Sequence, residues 1–247
     1  MKKISSVHNE EIKALNKLLT TKGRKEQKKF IAEGFRVCLT LIEAGFKPIQ
    51  MYVLDSLYNQ ALKLCPENFI TEVNDAVMNK ISANKTPSGI LAVFAIPQQP
   101  AHNALSEGIV LYAISDPGNM GTLMRTCAAM GKKSVVTIEG VDPWSPKVVQ
   151  ASAGTIGNLN IFEWSWAFLI DYKKHFKLCA LVVSGGQKPD EIDFSDILFV
   201  VGSEAHGIPD QLVAQCDVLL TLEMPGNTES LNVAVAGSIA LYLAWHK

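Results

Sequence analysis

Residues 219–245 read L-L-T-L-E-M-P-G-N-T-E-S-L-N-V-A-V-A-G-S-I-A-L-Y-L-A-W. Three regimes follow one another: a short apolar strand, a polar turn, and an apolar helix. Pro225-Gly226-Asn227-Thr228 holds residues that break regular structure. Ser230 is placed where the helix begins, with Asn232 two residues on. From Val233 nearly every residue is apolar or small, so this helix is expected to be buried over most of its surface. A helix start that presents Ser, Asn and free backbone N–H groups can form a polar pocket. A well-capped C-terminal core helix is the plainer reading of the same residues.

Upstream, Ile109–Ile114, Ser134–Ile138, Leu178–Val183 and Ile197–Val201 are nearly continuous apolar runs. Such runs indicate a parallel sheet covered on both faces. Residues 1–97 alternate in another way. Helices are expected near 8–20, 36–44, 56–64 and 75–81, and strands near 30–34, 49–54, 69–73 and 89–96, which makes a small α/β layer domain. Residues 20–30, T-T-K-G-R-K-E-Q-K-K-F, are expected to form a basic loop around Gly23. Pro97-Gln98-Gln99-Pro100 is stiff and polar, and is read as the start of a linker over 98–107. The expected domains are therefore 1–97 and 108–247.

The 247-residue chain has no apolar run of the roughly 18–20 residues that span a bilayer, and no secretory leader is visible behind Lys2 and Lys3. Its five cysteines are scattered without a C-x-x-C pair, which fits a reduced, cytoplasmic enzyme better than a disulfide framework or a zinc site. The net charge of −1 hides an asymmetry: residues 1–30 carry +6 and the remainder −7. A basic start on an acidic body suggests contact with a polyanion, although a solvated helix face would look the same.

Three polar turns each follow an apolar strand: Asp116–Arg125, Gly202–Gly207 and Glu223–Asn232. Ligands of open α/β sheets collect at the carboxyl ends of strands, so three such turns converging there would make one site. The first is not a dinucleotide fingerprint, since Gly118 and Gly121 have no third glycine in register, and no G-x-x-x-x-G-K-S/T occurs. Asn119 is suited to cap the helix that follows. Arg125, among small and apolar neighbours, needs an anionic partner such as Glu204 or an opening to solvent. Gly202 and Gly207 would let backbone approach a ligand closely. Glu204 could accept hydrogen bonds from Asn232 or Arg125, and His206 is a candidate base or a solvated turn residue. No cluster has metal-ligand spacing.

N-M-G-T-L-M-R, F-V-V-G-S-E-A-H-G-I and L-E-M-P-G-N-T-E-S-L-N-V-A-V-A together resemble the three signature motifs of the SpoU (TrmH-type) RNA ribose 2′-O-methyltransferases. K-G-R-K-E-Q-K-K-F-I-A-E-G and K-T-P-S-G-I-L-A-V resemble that family's RNA-binding domain. The resemblance implies a SPOUT α/β fold whose C-terminal segment threads a loop to form a deep trefoil knot. It implies S-adenosylmethionine held against Gly202, Leu222 and Leu231, with Met224 and Ser184 nearby, and a homodimer that completes the site. Glu223 stands where many members carry Pro. Arg125 takes the position of the proposed catalytic residue, as alkoxide stabiliser or phosphate grip, with Asn119, Glu204, Ser230 and Asn232 orienting it and the ribose. Lys22, Arg24, Lys25, Lys28 and Lys29 would supply phosphate contacts, and Thr86–Gly89 would shape the RNA-facing edge. The expected substrate is ribosomal RNA; the alternatives are transfer RNA, or a non-catalytic RNA-binding homologue. A nucleotide-binding oxidoreductase would need a Gly-rich first turn, which is missing.

Overall fold

A computed structural model describes residues 2–226 and 228–246, apart from the side chain of His246. Asn227, within the turn singled out above, lies outside the described residues. The chain divides into two compact units, 1–98 with 144–157, and 99–143 with 158–247.

In the first unit, strands β1 (Lys2–Ile4), β2 (Lys29–Glu33), β3 (Gln50–Val53), β4 (Ile70–Val73) and β5 (Ile90–Ala95) form a mixed sheet in the order β1-β4-β3-β5-β2. β2 and β3 run antiparallel to β5, while β4 runs parallel to β1 and β3. Helices α1 (Glu10–Lys17), α2 (Thr21–Gln27), α3 (Phe35–Glu43), α4 (Tyr58–Ala61) and α5 (Asp75–Ile81) complete it. One core joins Ile12 and Leu15 of α1 to Val77, Met78 and Ile81 of α5 and to Ile31 and Leu91 of the sheet. β1 is too short, and begins with two lysines, to show any alternation in sequence.

Residues 21–27 are helical, where a basic loop was expected. Thr20 caps α2 by accepting from the Gly23 N–H at 3.2 Å. Gly23 is there because of close packing: a Cβ would lie 2.0 Å from the Lys17 carbonyl oxygen at the end of α1. α2 stops at Lys28, whose φ of +51° turns the chain into β2.

The second unit holds β6 (Gly108–Tyr112), α6 (Pro117–Ala129) and β7 (Ser134–Ile138). Helix α7 (Pro146–Ala151) follows in the chain, then β8 (Asn160–Glu163), α8 (Trp166–Tyr172), β9 (Lys177–Leu181), β10 (Ile197–Val201), α9 (Asp210–Val213), β11 (Val218–Leu220) and α10 (Val233–His246). The six strands form an all-parallel sheet in the order β11-β9-β10-β6-β7-β8. β7 and β10 are buried along their whole length, as their apolar runs require. From β11 at one edge, α10 returns to pack on α6 and β10. That packing is tight: a Cβ on Gly237 would lie 2.5 Å from Leu123 Cδ2.

Two stretches sit elsewhere than expected. Residues 144–157, including α7, cluster with the first unit, where the Trp144 ring lies 4.9 Å from Phe30 and a Cβ on Gly154 would meet the Val37 carbonyl at 2.6 Å. Residues 99–107, read as linker, are docked on the second unit. Gln99 Oε1 accepts from the Glu163 N–H (3.3 Å), and the His102 ring meets Phe168 and Tyr172 edge-on at 4.9 and 4.7 Å. Among the described residues, no helix is long and apolar enough to cross a membrane.

Candidate active site

β6 and β10 are neighbours in register, with Leu111 opposite Val201, so the turns that leave their carboxyl ends meet. Asp116 opens α6: its Oδ1 accepts from the Asn119 N–H at 2.8 Å, and Pro117 occupies the first helical position. Asp116, and not Asn119, is therefore the cap. The Asn119 side chain is left available, and its Nδ2 donates to Glu204 Oε1 at 2.9 Å.

The turn after β10 closes on itself. Ser203 N–H donates to the Gly207 carbonyl (3.1 Å), and Gly207 N–H to the Ser203 carbonyl (2.9 Å). The close approach that Gly202 permits is to this turn, since a Cβ there would lie 2.1 Å from the Gly207 carbonyl carbon. The closed turn carries Glu204 toward the β6 turn. There its carboxylate also accepts from the Ser115 hydroxyl (2.8 Å), the Ser115 N–H (3.2 Å) and the Asp116 N–H (3.1 Å). Burial pushes this carboxyl up, but hydrogen bonds from the Asn119 side chain, from its own backbone and from Ser115 outweigh it and hold it at about 2. Glu204 is thus an ionised acceptor whose oxygens are occupied.

The third turn joins through Asn232. Its Nδ2 donates to Asn119 Oδ1 at 3.2 Å, while its Oδ1 accepts from the N–H groups of Ala234 (2.8 Å) and Val235 (3.3 Å) at the start of α10. Glu204, Asn119 and Asn232 therefore form one hydrogen-bonded chain through all three turns. Glu204 accepts from neither Asn232 nor Arg125; Asn119 lies between it and Asn232.

Arg125 stands apart. It is exposed, and its side chain makes no hydrogen bond or ion pair among the described residues. Six helical residues separate it from Asn119, a rotation of about 240° and a rise of roughly 9 Å, so the two leave α6 on different sides. The expectation that Asn119, Glu204, Ser230 and Asn232 orient the guanidinium is not met by any contact of this chain. His206 is exposed, and its N–H donates to Ser203 Oγ at 3.2 Å.

A second pair of turns leaves the neighbouring strands β9 and β11. Between them is a cleft lined by Leu181, Val182, Val183, Leu220, Leu222, Met224, Ser230, Leu231 and Ala236. Leu222, Met224 and Leu231, expected together at a cofactor site, are all among its lining residues. Ser230, expected at the chemistry, is a wall of this cleft and makes no hydrogen bond among the described residues. Gly202 and Ser184 are not among its lining residues. Main-chain groups of 222–224 make no hydrogen bond among the described residues, so apolar walls lie beside free backbone donors and acceptors. That combination suits an adenosine: a flat ring for the leucines, and ring nitrogens and ribose hydroxyls for the backbone.

Of the five N-terminal cations, Lys22, Lys25 and Lys28 are exposed and Lys29 is half-buried. Arg24 is 2% exposed and donates to the Leu18 carbonyl (2.8 Å) and Thr21 Oγ1 (3.1 Å). It ties α2 to the end of α1 and is not a phosphate contact. Sequence reasoning missed Ser115 and Asp116, although Asp before Pro at a helix start is itself a capping signal.

The SpoU rRNA Methylase family profile matches residues 108–242. The chain belongs to the SpoU rRNA methylase family. It is an S-adenosylmethionine-dependent RNA 2′-O-methyltransferase with a SPOUT fold. An MRM3-like substrate binding domain matches residues 9–92. Among SpoU relatives, an uncharacterised tRNA/rRNA methyltransferase of Synechocystis is 30% identical, over 98% of this chain and 92% of its own length. The Bacillus subtilis 23S rRNA (guanosine(2553)-2′-O)-methyltransferase RlmP is 28% identical over 98% of both chains. A crystal structure of an RNA 2′-O ribose methyltransferase superposes with a TM-score of 0.83 at 28% identity, covering 99% of this chain and 98% of that one.

Proposed function

We propose that this SpoU enzyme methylates a ribose 2′-hydroxyl of ribosomal RNA in the cytoplasm, as a homodimer. The hydrogen-bonded chain Glu204–Asn119–Asn232 carries this reading, because it joins the three turns beside an apolar cleft. Leu222, Met224 and Leu231 hold the cofactor, which supplies an electrophilic methyl group. Glu204 is a positioning residue: a carboxylate held at about 2 with its oxygens occupied is a poor base near neutrality. Arg125 is the one guanidinium in the motifs, its side chain makes no bond among the described residues, and it acts as a fixed charge toward an alkoxide or the adjacent phosphate. Lys22, Lys25, Lys28 and Lys29 grip RNA phosphates.

The ribosomal target is favoured because relatives named for rRNA match both units. A structure described for methylation of C/U34 on tRNA covers 56% of this chain. The dimer is favoured by α10, which is apolar on every side. Its Val235, Ile239 and Tyr242, spaced along one face, remain 48%, 38% and 49% exposed. Thr122 lines the same groove, one turn before Arg125 on α6, so a second copy seated there would reach the arginine. We read the return of α10 from the sheet edge as the threaded crossing of the knot.

Mapping 2′-O-methyl sites in total RNA from cells with and without the gene tests the target. A site lost only from transfer RNA, or none lost, would overturn it. Light scattering tests the dimer: the wild type should weigh two chains and Ile239→Asp one.

A further inference from the structure

One ion pair joins the two turns that flank the apolar cleft. The turns after β9 and β11 are joined at their base by backbone bonds, with Gln187 N–H on the Leu219 carbonyl (2.8 Å) and Thr221 N–H on the Gln187 carbonyl (3.0 Å). Beyond Thr221 the main chain of 222–224 makes no further bond among the described residues. A single ion pair crosses at that level, Lys188 Nζ to Glu223 Oε1 at 2.8 Å. The Lys188 backbone is itself anchored: its N–H donates to Glu191 Oε2 at 2.9 Å, and its carbonyl accepts from the Glu191 N–H at 3.0 Å. Glu223 lies between Leu222 and Met224, two walls of the cleft.

The geometry points to Lys188–Glu223 as a clasp that positions the 222–224 segment against the methyl donor. This rests on the cleft being the S-adenosylmethionine site. Both side chains stay more than half exposed, so the clasp contributes little to folding and acts on the loop alone. An exposed pair is screened by salt, so the contribution belongs to low ionic strength.

Calorimetry with S-adenosylmethionine at low and high salt, on the full-length protein, reads the effect. At low salt Lys188→Ala and Glu223→Gln should each weaken binding about two- to fivefold, and the wild type should approach them as salt rises. The charge-reversed pair, Lys188→Glu with Glu223→Lys, should restore most of the loss. Unchanged affinity in both single variants would overturn the clasp. Loss in Lys188→Ala alone would overturn it too, assigning the lysine to the ligand directly. If the wild type bound no S-adenosylmethionine, the cleft assignment would fail; amide exchange of 222–224 in the ligand-free protein would still test the clasp, and should quicken in both variants.

Discussion

The two pairs of turns at the carboxyl edge of the parallel sheet are built in opposite ways. Between β6 and β10 the turns are polar and internally satisfied. One carboxylate accepts four hydrogen bonds, and the amide that donates one of them is bonded in turn. Between β9 and β11 the turns are apolar on the inside, leave the main chain of 222–224 unbonded among the described residues and, beyond the bonds at their base, are joined by an exposed ion pair. A saturated network cannot take a ligand without breaking something, so it positions. An apolar cleft with free backbone groups costs little to fill, so it receives. Arg125 belongs to neither pair, and its donors remain available to a substrate or a second copy.

If that division holds, substitutions should separate chemistry, folding and cofactor binding. Arg125→Ala should lower kcat by about 10²–10³-fold while the S-adenosylmethionine Kd stays within about twofold, read by single-turnover methylation and calorimetry. A retained rate, or Arg125→Lys working as well as the wild type, would remove the guanidinium from the chemistry. Arg24→Ala should cost about 2–4 kcal/mol of stability in denaturant titrations, whereas neighbouring Lys25→Ala should leave stability alone and flatten the salt dependence of RNA binding by about one unit of slope. In the receiving pair, Leu231→Ala should raise the S-adenosylmethionine Kd roughly tenfold and leave kcat at saturation nearly unchanged.

The smallest effect is on acid stability. The folded state holds the Glu204 carboxyl near 2, below its ordinary 4.5. Its contribution is therefore complete above about 4.5 and is lost as pH falls toward 2. Glu204→Gln should flatten the stability profile across that window. An unchanged profile would mean that the network holds the turns together without the charge.

Much of the second unit was legible in sequence because its signals are local. Buried parallel strands must be continuously apolar, and Ser134–Ile138 and Ile197–Val201 have the bounds read from the chain. The apolar body of α10 was also legible from the change of composition at Val233, but its start was placed at Ser230, and the helix begins three residues later. Basic residues, by contrast, carry no local mark of burial. Arg24 and Lys25 are adjacent and equally charged, yet a helical step of about 100° puts one inside and the other in solvent.

By itself the sequence determined most of the strand and helix succession, though neither β1 nor α2, together with the family and the three motif turns, because each of these rests on composition or order along the chain. Only the tertiary structure decided which motif residues touch. Strand order placed β6 beside β10 and β9 beside β11, so four turns scattered over a hundred residues sorted into one polar pair and one apolar pair. It moved Ser230 from the chemistry to the cleft wall, gave the cap to Asp116 and left Arg125 free. The opening stretch 219–245 now divides at those partners: Leu222, Met224, Ser230 and Leu231 line the cleft, Asn232 ties the network to α10, and the apolar helix beyond packs on α6 with one face still exposed. Contacts between residues far apart in sequence depend on strand order and helix phase, which no single stretch records.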